Sequence, residues 1–373
     1  MGVYQKGEIK LLLKQKDIEN YIDLLLENLK NLKDEKLEFV WHLEDGSIYD
    51  TKSFNGWEWT QGVALYGIYK YYEQTGDRKL LDLLTEWYDR RFEEGLPEKN
   101  VNTVAPMLTL AYLYEITKNP KYLPYLEIWA EWVMYGIPRT EDDGIQHKVF
   151  LSENKDQLWD DTLMMSVLPL AKIGKLLNRP EYIEQAKKQF LVHIKYLFDK
   201  KTGLWFHGWT FDGNHNFADA LWGRGNCWIT IVIPEIIETL DLKEGDFFRE
   251  YLVDTLKRQI ETLAKVQNEN GLWHTLLMDP SSYMETSATA GFAFGILKAI
   301  RKRYIDKKYE ETALKAVNAV INNINEDGEV QNVSFGTAMG NDLQFYKDIP
   351  ITPMPYGQSL SVLCLVEYLN YFK

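Results

Sequence analysis

A turn built on glycine recurs along this chain at nearly one interval: Asp142-Asp143-Gly144-Ile145, Lys201-Thr202-Gly203-Leu204, Glu269-Asn270-Gly271-Leu272 and Glu326-Asp327-Gly328-Glu329. The glycines stand 59, 68 and 57 residues apart (203 − 144, 271 − 203, 328 − 271). A second, shorter turn recurs as Thr75-Gly76-Asp77, Thr117-Lys118-Asn119-Pro120 and Leu177-Asn178-Arg179-Pro180, each time between two segments of helical period. Each repeat is therefore a pair of helices. Self-similarity at this spacing specifies a helical array, in which each unit buries its apolar face against its neighbours.

The two members of a pair differ in kind. Helices are expected at Trp57–Gln74 with Arg78–Phe92, Val101–Thr117 with Lys121–Tyr135, and Leu158–Leu177 with Glu181–Phe198. They continue as Leu221–Leu240 with Phe247–Gln267 and Thr286–Arg303 with Lys308–Ile324, and Tyr356–Tyr371 closes the chain. First members are apolar nearly all round and carry small residues such as Gly62, Gly67, Ala105 and Gly291. Second members carry a charged face, as in Glu181-Tyr182-Ile183-Glu184-Gln185-Ala186-Lys187-Lys188. The first pattern belongs to a buried helix and the second to a surface helix. If the amphipathic segment Asp17–Asn31 is the outer partner of Tyr356–Tyr371, the count is six inner and six outer. A closed ring also explains why neither end looks like a capping repeat. The expected fold is all-α, an (α/α)6 toroid formed as one domain over residues 1–373, with the inner-helix N-termini gathered at one mouth.

Composition narrows the function. A formal net charge of −13 argues against a nucleic-acid partner, which requires a basic face. The 12 Trp, 23 Tyr and 16 Phe suit a surface on which sugar rings stack, although large cores use aromatics too. Cys227 and Cys364 lie in apolar helical contexts without metal-ligand spacing, and read as buried thiols of a reducing compartment. Residues Met1 to Lys16 are polar and basic with no signal-like apolar region, and no run long enough to span a membrane occurs. A cytoplasmic location is expected. No HExxH, EF-hand or glycine-rich phosphate loop is present, so neither metal nor nucleotide cofactor is expected. Oligomeric state is not legible.

In a ring of this kind the loops entering the inner helices converge. They carry Asn55, Trp57, Trp59, Asn102, His147, Trp159, Asp161, His207, Trp222, Arg224, Trp228 and Glu285. The densest stretch is Gln157-Leu158-Trp159-Asp160-Asp161-Thr162-Leu163. Its acids would also suit the first turn of a helix, where the macrodipole favours negative charge. Other plain readings stand beside the functional ones. His147 would satisfy a loop carbonyl, Arg224 would pair with Asp219 or Glu235, and Glu285 would cap the helix after it. Trp222 and Trp228, six apart, need not share a face.

Three motifs, Trp159-Asp160-Asp161, Gly203-Leu204-Trp205-Phe206-His207-Gly208-Trp209 and Trp222-Gly223-Arg224-Gly225-Asn226-Cys227-Trp228, resemble those of glycoside hydrolase family 105. Gly271-Leu272-Trp273, Glu285-Thr286-Ser287 and Gly336-Thr337 match as well, so the resemblance runs from about Asn55 to Leu369. It implies an (α/α)6 barrel that removes a Δ4,5-unsaturated uronic acid from the non-reducing end of lyase-generated rhamnogalacturonan oligosaccharides. It implies Asp161 as acid and base, with Asp160 the weaker choice. Trp59, Asn102, His147, Trp159, His207, Trp222, Arg224 and Trp228 would bind substrate, Arg224 as a fork for the uronate carboxylate. Asn102 departs from relatives with Asp there. The expected partner is a small unsaturated oligosaccharide. The alternatives are an unsaturated glucuronyl hydrolase of family 88 type, acting on glycosaminoglycan-like fragments, and a sugar-binding toroid without catalysis.

Overall fold

A computed structural model describes residues 13–42, 46 and 48–373. Residues 1–12, and with them most of the stretch searched for a leader, lie outside that range. The inner helices are α2 (Trp59–Thr75), α4 (Pro106–Thr117), α6 (Leu168–Leu176), α8 (Gly223–Thr239), α10 (Thr286–Arg301) and α13 (Pro355–Tyr371). The outer ones are α1 (Gln15–Asn31), α3 (Arg78–Glu94), α5 (Leu123–Glu131), α7 (Pro180–Leu197), α9 (Phe247–Val266) and α11 (Glu310–Asn322); α12 (Leu343–Lys347) is a single turn in a loop. Inner helices pack in the order α2, α4, α6, α8, α10, α13 and back to α2, and α1 packs on α13. The ring closes as an (α/α)6 toroid. No helix among the described residues is long and apolar enough to cross a membrane.

The repeated glycines show how the ring is built. A Cβ on Gly203 would lie 2.7 Å from the Arg258 carbonyl oxygen of α9, on Gly271 2.4 Å from that of Lys315 in α11, and on Gly328 2.5 Å from that of Leu24 in α1. Each turn therefore abuts the next outer helix, and only a residue without a side chain fits there. The contact of Gly328 with α1 places the N-terminal helix in the sixth outer position. All three glycines have positive φ (76°, 89° and 80°), whereas in the first turn the left-handed residue is Asp143 (φ 61°).

Burial follows the two sequence patterns. In α10 every residue from Thr286 to Ile300 is buried, while α3 buries only Leu80, Leu81, Leu84, Trp87 and Tyr88. Cys227 and Cys364 are buried free thiols. The helix expected at Leu158–Leu177 differs from the one found. Gln157–Trp159 forms strand β3 of a small hairpin with β4 (Gly208–Thr210), and a π-helical turn at Leu163–Val167 precedes α6. The π turn leads into Pro169, which has no N–H to offer an α-helical ladder. Two other hairpins, β1 (Val40–His42) with β2 (Ile48–Asp50) and β5 (Trp273–His274) with β6 (Met284–Glu285), also lie in segments before inner helices.

Candidate active site

The mouth at the N-terminal ends of the inner helices opens into a cavity of about 600 Å³. Its walls include Trp59, Asn102, His147, Trp159, Asp161, Trp222, Arg224 and Trp228, which come from four different inner-helix approaches. Trp41, Phe150, Phe217 and the loop Phe335–Met339 complete the rim. Of the other residues expected at the funnel, Trp57 is instead packed in the core, its indole N–H donating to the Thr103 carbonyl at 2.9 Å. His207 does not line the cavity either; it lies behind the wall, 4.3 Å from the Trp222 ring and 5.2 Å from Trp159, with Nδ1 2.8 Å from the Tyr346 hydroxyl. Burial holds its pKa down at about 3, so the ring is neutral.

The two adjacent acids are separated by the hairpin. β3 pairs with β4 so that Trp159 faces Gly208, and the Asp160 N–H donates to the His207 carbonyl at 3.0 Å. That register turns Asp160 inward, fully buried against Gly225, where an added Cβ would lie 2.2 Å from Asp160 Oδ2. Asp161 then faces the cavity, with 17 % of its side chain exposed. Among the described residues, neither oxygen of Asp160, nor Oδ1 of Asp161, finds a hydrogen-bond partner. Burial first, and for Asp160 also the charge of Asp161, raises both pKa values: Asp160 well above the carboxylate range, Asp161 to about 7. Arg224 pulls Asp161 the other way. Asp161 thus keeps hold of a proton far above the usual carboxylate range, in contact with the cavity.

His147 lies beside this acid. It stacks on Trp159 at 4.2 Å and 8°, its Nδ1 is 2.8 Å from the Thr162 hydroxyl, and the same nitrogen is 3.4 Å from Asp161 Oδ1. Burial holds its pKa well below the usual histidine range, so the ring is neutral and the contact is not an ion pair. The loop-carbonyl reading of His147 is replaced by a hydroxyl partner.

Arg224 differs from its expected role. Nη1 donates to the Ser334 carbonyl and hydroxyl at 3.1 and 2.6 Å, and Nη2 to the Phe335 carbonyl and the Thr337 hydroxyl, both at 2.9 Å. All four Nη hydrogens are engaged by this loop, so in this arrangement the fork is spent on the protein; among the described residues only Nε lacks a partner. Its nearest acid is Glu285 at 3.7 Å, not Asp219 or Glu235. Arg224 thus anchors the Phe335–Thr337 rim and brings positive charge to the cavity. Glu285 is the N-cap of α10: it accepts from Ala288 N–H (2.6 Å), Ser287 Oγ (2.7 Å) and Ser334 N–H (3.0 Å). Trp222 and Trp228 do share the cavity, and Trp228 meets Trp59 edge-on at 5.9 Å.

Sequence reasoning passed over several polar groups of the wall, Ser152, Asn154 and Asn341 among them, and one carboxyl, Glu58. The signal was available. Glu58 stands immediately before α2 as Glu285 stands immediately before α10, and Asp161 lies just ahead of the π-helical turn that leads into α6. Among the described residues no cluster of three or more His, Cys, Asp or Glu could hold a metal ion.

Residues 31–372 match the model of Glycosyl Hydrolase Family 88. A structure described as a possible member of the GH105 family, from Salmonella enterica serovar Paratyphi A, is 55% identical with TM-score 0.96 and full coverage of both chains. Another so described, from Klebsiella pneumoniae, is 53% identical, again with TM-score 0.96 and full coverage. The unsaturated rhamnogalacturonyl hydrolase YesR of Bacillus subtilis is 33% identical over 318 residues, 84% of this chain and 90% of that protein. A family match over nearly the whole chain, on a toroid whose mouth carries a proton-holding carboxyl among tryptophans, leaves one conclusion: the chain belongs to Glycosyl Hydrolase Family 88 and is a glycoside hydrolase.

Proposed function

We propose that this enzyme releases a Δ4,5-unsaturated uronic acid from the non-reducing end of rhamnogalacturonan fragments, with Asp161 as its acid and base. The observation that carries this reading is the Asp161 carboxyl, facing a tryptophan-walled cavity with an unpartnered oxygen and a pKa raised to about 7. YesR supports the substrate class.

An ordinary glycosidase acts at the anomeric carbon and needs two carboxyl groups on opposite sides of the bond. The unsaturated ring offers an enol ether instead. Asp161 gives its proton to C4, and positive charge develops at C5 and on the ring oxygen. Water adds at C5 and returns a proton to the Asp161 carboxylate. The hemiketal at C5 then opens to a ketone, the ring oxygen leaves C5 as the hydroxyl of a hemiacetal at C1, and that hemiacetal expels the neighbouring sugar. One carboxyl serves both proton transfers, provided it begins protonated. Trp59, Trp159, Trp222 and Trp228 supply flat apolar walls for the ring, Asn102 a hydrogen-bonding amide, and Arg224 positive charge towards the uronate. His147 orients Asp161, and His207 braces Trp159 and Trp222 from behind.

The test is incubation with lyase-generated disaccharides while the ultraviolet absorbance of the double bond is followed. Its loss on a rhamnose-linked substrate, faster than on a hexosamine-linked one, is expected. Faster loss on the hexosamine-linked substrate would move the enzyme to the glucuronyl type, and no loss on either would leave a sugar-binding toroid.

A further inference from the structure

Glu58 is the N-cap of α2, but capping uses only half of it. Oε2 accepts the Trp59 N–H at 3.1 Å; Oε1 is buried and has no partner of good hydrogen-bond geometry among the described residues, although the Asn102 amide lies near enough to lower the pKa of the carboxyl. The residue is 4 % exposed and lies in the cavity wall with Asn102. Glutamate is not among the favoured N-cap residues, and a shorter Asp or Ser would satisfy the helix end. Glu285 at the start of α10 makes the contrast, because all of its contacts go to protein donors. A buried carboxyl oxygen without a partner is destabilising, and is retained where a ligand completes it.

We propose that Glu58 is a substrate-contacting residue, donating a hydrogen bond from Oε1 to a hydroxyl oxygen of the unsaturated ring; this rests on the function proposed above. To donate, the carboxyl must be neutral. Burial raises its pKa to about 8, while the Trp59 N–H and Asn102 draw it down, so the acid form predominates at neutral pH. A neutral acid also spares the substrate's carboxylate a repulsive charge in a cavity where Asp161 becomes an anion after the first step.

Steady-state kinetics on the rhamnose-linked disaccharide, with thermal melting of each variant, tests this. Glu58→Ala removes the group. Glu58→Asn keeps a favoured N-cap but withdraws the polar head from the cavity. Glu58→Gln keeps a neutral donor of the same length. KM is expected to rise about tenfold in the Ala and Asn variants with kcat within about threefold of wild type, and Gln should recover most of the affinity. An unchanged KM in both Ala and Asn would make Glu58 a helix cap and nothing more. A Gln variant whose kcat collapses would mean that the ionisable proton itself is needed, which overturns the hydrogen-bond role. A wild-type protein that leaves the disaccharide intact would fail one level up, taking the functional reading and this inference together.

Discussion

At the C-terminal end of the inner helices, Lys298 lies 2.5 Å from both Glu235 and Glu238, Tyr66 donates to Glu235 at 2.6 Å, and Arg301 grips Glu367 through two bonds at 2.6 and 2.9 Å. At the N-terminal mouth, Asp160, Asp161 and Glu58 hold buried carboxyl oxygens that find no well-formed hydrogen bond among the described residues. Both ends pull acids out of water, with opposite results. For Glu235, burial is outweighed by Lys298 and Lys70, and its pKa falls; for Asp161 and Glu58 burial prevails, and theirs rise. Paired buried charge holds helices in register, whereas an unpaired buried carboxyl tends to keep its proton, a state that acid chemistry can use.

The comparison breaks most sharply at Asp161. Asp161→Asn should lower kcat about 10³-fold with the fold retained, a loss within the range of acid–base catalysis. Circular dichroism and single-turnover kinetics check both halves. If Asp160→Asn abolishes turnover and Asp161→Asn does not, the roles are reversed.

Next in size is Lys298→Met, which leaves Glu235 buried without its main partner. It should destabilise the fold by about 3–5 kcal/mol in denaturant melts while the folded fraction keeps its kcat. A comparable loss of kcat would show that the two ends are coupled.

The same contrast has a pH form. Asp161 binds a proton up to about pH 7 when folded, but in the unfolded chain only up to its ordinary value of 3.8. Between these values the folded state holds the extra proton, so stability falls as pH rises through that window. Asp161→Asn should therefore melt higher than wild type at pH 8 and no higher at pH 3. Activity follows the same group: kcat/KM should be flat below about pH 7 and fall roughly tenfold per pH unit above it. A profile that rises through pH 8 would mean that the ionised form starts the reaction.

The smallest effect is expected at Gly225. Gly225→Ala places a methyl against Asp160 and should destabilise by about 1–3 kcal/mol, with a fall in kcat as the neighbouring Asp161 shifts. Unchanged kcat would show that the acids tolerate displacement.

Much of the molecule was legible before any coordinates. Helical period, the alternation of wholly apolar and one-sided segments, and the recurring glycine turns are local properties. A ring of six pairs is the arrangement that buries all of them, so the fold and the mouth where chemistry gathers followed from the order of residues alone. What the tertiary structure decided depends on segments that meet from far apart. The register of Gln157–Trp159 on Gly208–Thr210 turns Asp160 in and Asp161 out. The Ser334–Thr337 loop uses up the Arg224 fork, Tyr346 takes His207 behind the wall, and no described residue gives Glu58 Oε1 a well-formed hydrogen bond. A side chain's nearest neighbours in the chain do not determine its partners across the ring, because hydrogen-bond geometry is set by distances that only packing creates.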